Sequence, residues 1–185
     1  KNIIMNTQRH KVFVSYHHAN DQYYKNAFEE LFSRNYDIMA SKSVQIGEIN
    51  PYLKTETIRQ KIRDEYLRDT SVTVVLIGTE TWKRKHVDWE IAASIRSTLY
   101  NSRSGLIGIF LPTHPDFGRD KYKKNIIPPR LYDNAKCGFA KLYDWNTNPQ
   151  IVKSWIHEAF TNRNKINPDN SYPSFSNNRS GNEWR

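Results

Sequence analysis

Residues 72–95, VTVVLIGTETWKRKHVDWEIAASI, constrain the fold more than any other stretch of this chain. The segment begins as an apolar and β-branched run, breaks at Gly78, crosses a polar turn and resumes with helical spacing. Such a run is typical of a strand covered on both faces of a parallel sheet. Because these sheets bind ligands outside the carboxyl ends of their strands, the polar turn is expected at a ligand site. Glu90, between Trp89 and Ile91, is therefore a candidate reactive group.

Strand and helix patterns alternate along the chain, which indicates an α/β domain with right-handed crossovers. Further strands are predicted at residues 11–15, 36–39, 106–111 and 141–143. Five strands fit the flavodoxin-like order 2-1-3-4-5, so we predict a three-layer fold with a mostly parallel central sheet and helices on both faces. In that order the loop SYHHAND after strand 1 lies beside the turn after strand 3, across one crevice.

The spacing of apolar residues predicts the helices and their buried faces. Asn20 or Asp21 is expected to cap the first helix. A second helix starts near Thr55, and a last helix covers residues 151–160. The helix that carries Glu90 is predicted to bury Val87, Ile91, Ile95 and Leu99.

We divide the chain into an extension at residues 1–10, a domain at residues 11–163 and a flexible polar tail at residues 164–185. The tail is rich in Asn and Ser, with little to bury. Within the domain, residues 113–136 are predicted to be irregular because they contain three prolines and many basic residues; loops of that length are usually functional or disordered.

The length and composition of the chain limit its class. At 185 residues it suits one domain better than two. The 28 basic and 19 acidic residues give a net charge of +9, which attracts polyanions but also fits an ordinary solvated surface. No window approaches the roughly 20 apolar residues of a membrane span, and no secretory signal is visible. With Cys137 as its single cysteine, the chain lacks a disulfide framework, and we expect a cytoplasmic protein.

Each candidate side chain also has an ordinary structural explanation. Glu90 lies in an early helical turn, where the helix dipole keeps an acid ionised and stabilises it by roughly 0.3–1 kcal/mol. Asp88 points to another face and is expected to be a surface or capping charge. Trp82 and Trp89 suit core packing, although tryptophan beside a crevice also stacks on heteroaromatic rings.

Several familiar chemistries are excluded. His17 and His18 are adjacent and diverge, and His86 nearby lacks supporting acidic or sulfur ligands, so we predict no metal site. Neither a GxxxxGK[ST] loop, a GxGxxG fingerprint nor a GxSxG elbow occurs. A phospho-receiver of this fold needs acids after strand 1 and an Asp after strand 3, where this sequence has SYH and GT.

Three segments together resemble the TIR domain, and within it the bacterial TIR-like group that includes the Thoeris anti-phage proteins. They are KVFVSYHHAND, SVTVVLIGTETWKRKHVDWEI and GLIGIFLP. The resemblance covers residues 11–112 by motif and the rest by topology. Residues 113–136 fit the bacterial group better than animal or plant TIR domains, which are shorter there.

The resemblance implies cleavage of the nicotinamide–ribose bond of NAD, with NAD as substrate, no cofactor and Glu90 as the catalytic residue. In similar enzymes the ADP-ribosyl product is hydrolysed, cyclised or transferred, and it can activate a separate effector protein as a nucleotide messenger. Self-association is expected because TIR enzymes often complete their site across protomers. Neither membrane binding nor nucleic-acid binding is expected.

Residues around the crevice are expected to bind the substrate. Glu90 would lie beneath the ribose, with a tryptophan stacked on a base and the basic turn KRKH beside the pyrophosphate. The predicted substrate-binding residues are Ser15, Tyr16, His17, Asp21, Gly78, Trp82, Lys83, His86 and Trp89.

Three alternatives belong to other functional classes. A non-catalytic TIR adaptor would bind other TIR domains without turnover. An enzyme similar to nucleoside deoxyribosyltransferases would consume deoxynucleosides instead of NAD. A nucleic-acid-binding domain would fit the positive charge, but the sequence has no recognisable reading helix or base-stacking module.

Overall fold

The computed structural model describes residues 9–41 and 49–185, which form a five-stranded sheet in the order β2-β1-β3-β4-β5. All four neighbouring pairs are parallel, so the predicted order and direction are confirmed. The strands are β1 (Lys11–Ser15), β2 (Asp37–Ala40), β3 (Val72–Ile77), β4 (Gly105–Phe110) and β5 (Ala140–Asp144).

Within the described ranges, five α-helices cover the two faces of the sheet. They are α1 (His18–Phe32), α2 (Thr55–Lys61, continued by a π-helical turn at Ile62–Tyr66), α3 (Lys85–Ser94), α4 (Pro129–Lys136) and α5 (Pro149–Asn162). Helices α1 and α5 pack on one face, while α2, α3 and α4 pack on the other. The three-layer α/β architecture is thereby confirmed. Within the described ranges, no helix is long and apolar enough to cross a membrane.

Burial on both faces explains the mostly apolar character of β3. Val74 and Leu76 belong to the cluster beneath α1 and α5, whereas Val75 and Ile77 belong to the cluster beneath α3 and α4. Successive strand residues point to opposite faces, so a strand covered on both faces favours apolar side chains along its length. The polar exception, Thr73, is buried and shares a hydrogen bond with the Ser94 hydroxyl at 2.8 Å.

Three local predictions are wrong. His17, rather than Asn20 or Asp21, caps α1, because its Nδ1 accepts a hydrogen bond from the Asn20 N–H at 3.1 Å. Leu99 is 88% exposed because α3 ends at Ser94, before the apolar spacing runs out. Helix α4 occupies part of the segment predicted to be irregular; Pro129 stands in its first turn, where a missing N–H costs nothing.

Residues 164–185 are packed against the domain, which contradicts the predicted flexible tail. Phe175 is 4% exposed, and its N–H donates to Asp88 Oδ2 at 3.0 Å. Further along, the Trp184 Nε1–H donates to the Ile127 carbonyl at 2.7 Å. Although the tail is polar overall, a few spaced aromatic residues attach it to the domain.

Candidate functional site

Glu90 lies inside the protein at the carboxyl edge of the sheet. It is in the second turn of α3, and its exposed fraction is 0%. The Ser15 hydroxyl, at the end of β1, donates to Glu90 Oε1 at 2.9 Å. Glu90 Oε2 has no hydrogen-bond partner among residues 9–41 and 49–185. The predicted proximity of the strand-1 loop and the helix after strand 3 is therefore observed at atomic contact.

Burial decides the charge of this carboxyl. It raises the pKa of Glu90 to about 8, against the smaller lowering effects of the Ser41 and Ser15 hydroxyls. At neutral pH the buried group therefore holds its proton for most of the time. The sequence argument for an ionised acid is wrong here, because the helix-dipole effect fades beyond the first turn and desolvation outweighs it.

Ser41 is a neighbour of Glu90 that sequence reasoning missed. It directly follows β2 and is 5% exposed, with a hydroxyl that lowers the pKa of Glu90. Its position after a strand was the available signal, since the carboxyl ends of parallel strands share one edge. Ser15 at the end of β1, Ser41 after β2 and the turn after β3 therefore all lie near α3.

Asp21 and Gly78 are in close contact across the crevice between β1 and β3. A Cβ added to Gly78 would lie 2.2 Å from Asp21 Oδ2, so the missing side chain makes room for that carboxyl. Asp21 is 2% exposed, and its Oδ2 has no hydrogen-bond partner in the described ranges. Burial raises its pKa to about 6, despite the opposing effect of the Thr81 hydroxyl.

The predicted histidines link the two loops of the crevice. His86 Nε2 lies 3.0 Å from the Tyr16 carbonyl oxygen. A carbonyl only accepts, so Nε2 carries the proton and donates. Burial is the main reason that the pKa of His86 falls to about 4, which leaves the ring neutral at pH 7. His17 is buried and has a lowered pKa, again chiefly through desolvation.

The two tryptophans do not line the crevice as stacking surfaces. Trp82 is 1% exposed. Trp89 packs with Phe13 and Ile62, and its Nε1–H donates to the Phe175 carbonyl at 2.8 Å. Both rings are therefore core residues in this structure, which corrects the predicted stacking role.

The basic turn is already engaged within the protein. Lys83 Nζ lies 2.9 Å from Glu80 Oε1. The backbone carbonyl of Lys83 accepts a hydrogen bond from the Arg179 N–H at 2.8 Å. Lys85 Nζ lies 4.9 Å from the centre of the Trp89 ring. A substrate phosphate would compete with these contacts.

Asp88 is buried, which contradicts the predicted surface or capping role. Its side chain is 2% exposed and pairs with Arg130, whose side chain is 0% exposed. The Arg130 Nε and Nη2 groups donate to Oδ1 and Oδ2 at 3.0 and 3.3 Å. This pair joins α3 to α4, and nothing in the local sequence around Asp88 signals a partner 42 residues away.

Among residues 9–41 and 49–185, no three His, Cys, Asp or Glu side chains are grouped so that they could hold a metal ion. At this edge of the sheet, two buried carboxyls, those of Glu90 and Asp21, each have one oxygen without a hydrogen-bond partner among the described residues.

The sequence profile of one family matches this region. The TIR-like domain of Thoeris protein ThsB matches residues 13–116, which is more than half of the chain. The chain belongs to this TIR-like family. No curated protein sequence matches it significantly.

Among solved structures, the TIR domains of the activated Roq1 resistosome, which directly recognises the pathogen effector XopQ, are similar. They share 12% sequence identity, with 90% of this chain and 92% of that chain covered and a TM-score of 0.37.

The part of the chain that matches the TIR-like domain contains Ser15, Ser41, Gly78 and Glu90. Arg130 and the packed tail lie beyond residue 116, outside the match. The candidate site is therefore built from the family portion of the chain, while α4 and the tail support α3 from outside it.

Proposed function

We propose that this TIR-like protein cleaves the nicotinamide–ribose bond of NAD, with Glu90 as the catalytic residue. The observation that supports this most strongly is a fully buried carboxyl, beside the end of β1, with one oxygen held by Ser15 and the other unpaired. An unsatisfied buried acid costs stability, and strongly shifted acids of this kind are concentrated at functional sites.

Nicotinamide is a cationic leaving group and departs without strong acid assistance. The remaining ribose carbon develops oxocarbenium character, which an ionised carboxylate beside it stabilises. Glu90 begins with a raised pKa, and the positive pyridinium ring of NAD would lower that pKa on approach. Substrate binding would therefore create the anion where the reaction needs it.

Access to Glu90 requires a conformational change, because its exposed fraction is 0%. Self-association or a phage-derived trigger would supply that change, so basal turnover in isolation is expected to be low. An enclosed site excludes water and favours attack on the ribosyl carbon by a group of the same molecule. The product would then be a cyclic ADP-ribose-type messenger that activates a separate effector in anti-phage defence; water entry would give ADP-ribose.

The test is nicotinamide release from NAD by purified protein and by lysates of phage-challenged cells. Glu90→Gln, which keeps the size of the side chain, is expected to reduce release at least about 1000-fold. Glu30→Gln, an exposed acid of α1, is the matched control and should behave as wild type. Equal release by wild type and Glu90→Gln in lysates of phage-challenged cells would contradict the proposal. Mass spectrometry of the products separates hydrolysis, cyclisation and transfer.

A non-catalytic interaction domain is the second candidate, since a neutral, fully enclosed Glu90 also suits a purely structural role. It predicts no NAD consumption in triggered cells and unchanged phage protection by Glu90→Gln. Including deoxynucleosides in the same assay tests the deoxyribosyltransferase alternative.

A further inference from the structure

A separate cavity lies behind α3, away from Glu90. Its volume is about 130 Å³, whereas a bound water needs only roughly 10–15 Å³. The cavity therefore has room for a small organic molecule. Trp89 and Ala92 form part of its wall. With 3.6 residues per turn, the Glu90 side chain leaves α3 roughly 130° around the helix axis from the direction midway between Trp89 and Ala92. The cavity and Glu90 therefore lie on different sides of α3.

Arg59 is the cationic residue in the lining of this cavity, and its hydrogen bonding is weak. The residue is 8% exposed. Its Nη1 donates to Glu56 Oε1 at 3.4 Å and its Nη2 to Ser174 Oγ at 3.5 Å, both at the outer limit of a hydrogen bond. Its Nε has no hydrogen-bond partner among the residues that the structure describes. A guanidinium group buried with so few good partners favours an additional acceptor.

The charges around the cavity favour an anion. Glu56 is shared between Arg59 and Arg96, and its side chain is 63% exposed. The carboxylate of Asp88 is already paired with Arg130. Burial and, next, repulsion from Arg130 lower the pKa of Arg59. Among the described residues, three guanidinium groups thus face two carboxylates, which gives an excess of one positive charge in this set.

The remaining walls are largely apolar and aromatic. Ile58, Trp89 and Phe175 line the cavity and are each at most 7% exposed. An inorganic anion would leave these walls in contact with empty space or water. A flat ring fills such a space and packs favourably against aromatic side chains.

We propose that this cavity binds a small aromatic carboxylate, with its carboxylate on Arg59 and its ring between Ile58, Trp89 and Phe175. Guanidinium and carboxylate groups match in shape and can share two parallel hydrogen bonds. The inference is independent of NAD cleavage because neither Glu90 nor the crevice between β1 and β3 takes part.

Isothermal titration calorimetry with benzoate as the probe tests this site. Wild type should bind benzoate saturably, and Arg59→Gln should weaken binding at least tenfold. Arg68→Gln is the matched control, since the Arg68 side chain is 75% exposed and does not line the cavity. Benzamide, acetate and phosphate should each bind at least tenfold more weakly than benzoate. Glu90→Gln should bind benzoate as wild type does, whatever its effect on NAD.

Two further measurements keep the proposal testable if Arg59→Gln does not fold. Ala92→Leu, which fills the cavity from α3, should abolish benzoate binding. A crystal soaked with 4-iodobenzoate should show the iodine beside Trp89. Absence of saturable binding to wild type at millimolar benzoate, unchanged affinity in Arg59→Gln or Ala92→Leu, tighter binding of phosphate, or iodine elsewhere would each overturn the proposal.

Discussion

Asp88 and Glu90 lie two residues apart on α3, and both are buried, yet their surroundings are opposite. Both Asp88 oxygens accept hydrogen bonds, from Arg130 and from the Phe175 N–H. Within the part of the chain that the structure describes, Glu90 Oε1 accepts from the Ser15 hydroxyl and Oε2 has no hydrogen-bond partner. The paired Asp88 carboxylate joins α3 to α4 and the tail, whereas the Glu90 carboxyl is enclosed with one oxygen unpaired among the described residues. Two acids that are equally buried therefore differ in their partners, and this difference is the basis for proposing a structural role for Asp88 and a catalytic one for Glu90.

Removing the charge of Asp88 should have the largest effect on stability. Asp88→Asn leaves Arg130 buried without its counter-ion, so we expect a loss of about 3–5 kcal/mol in the free energy of unfolding. The melting temperature should fall by about 10 °C. Urea and thermal unfolding measure both quantities. The double variant Asp88→Asn with Arg130→Gln neutralises both partners and should recover part of the loss. A loss below about 1 kcal/mol in Asp88→Asn would contradict the structural role that we assign to Asp88.

Glu90 should instead make the fold less stable as the pH rises. Its pKa is raised from 4.5 to about 8 on folding, so between these values the unfolded chain releases a proton that the folded chain retains. The contribution of Glu90 is complete below pH 4.5 and is lost as the pH rises through about 8. Relative to Glu90→Gln, wild type should lose about 4–5 kcal/mol across this window. Parallel pH profiles for the two proteins would contradict the raised pKa.

The pH dependence of NAD cleavage sharpens the same point. If the ionised form of Glu90 is required, kcat/KM should rise about tenfold per pH unit below the pKa of the free enzyme and level off above about 8. Nicotinamide release at low NAD concentration measures this profile. A rate that falls as the pH rises through the same range would assign the activity to the protonated acid.

The smallest expected effect concerns Ser15, whose hydroxyl donates to Glu90 Oε1. Ser15→Ala removes a hydrogen bond that favours the charged form, so the pKa of Glu90 should rise further and the pH–rate profile should move to higher pH. At neutral pH the rate should fall by about tenfold or less. Ser154→Ala, an exposed serine of α5, is the control. An unchanged profile in Ser15→Ala would show that Ser15 does not act on this carboxyl.

The sequence allowed the sheet order and the Ser15–Glu90 neighbourhood to be predicted, because both follow from local patterns and from the fixed geometry of parallel strands. Periodicity identifies β1 and β3, and the order 2-1-3-4-5 places their carboxyl ends side by side. The protonated state of Glu90 was beyond such reasoning, since desolvation depends on everything packed around the group.

Partners distant in sequence account for the other differences. Nothing near Asp88 reveals that Arg130 lies beside it, and nothing near Trp89 reveals that the Phe175 carbonyl accepts its indole N–H. Both contacts depend on α4 and on a tail whose composition resembles that of a disordered segment. A polar tail with a few spaced aromatic residues can still pack when the domain offers buried polar groups to bond with.

The most direct test of the central claim is a carbon-13 NMR titration of the Glu90 side-chain carboxyl with and without carba-NAD, which keeps the nicotinamide cation but resists cleavage. The account predicts a pKa near 8 in the free protein and a clearly lower value in the complex. A pKa near the ordinary value of 4.5 in the free protein, or a raised value that carba-NAD leaves unchanged, would contradict it.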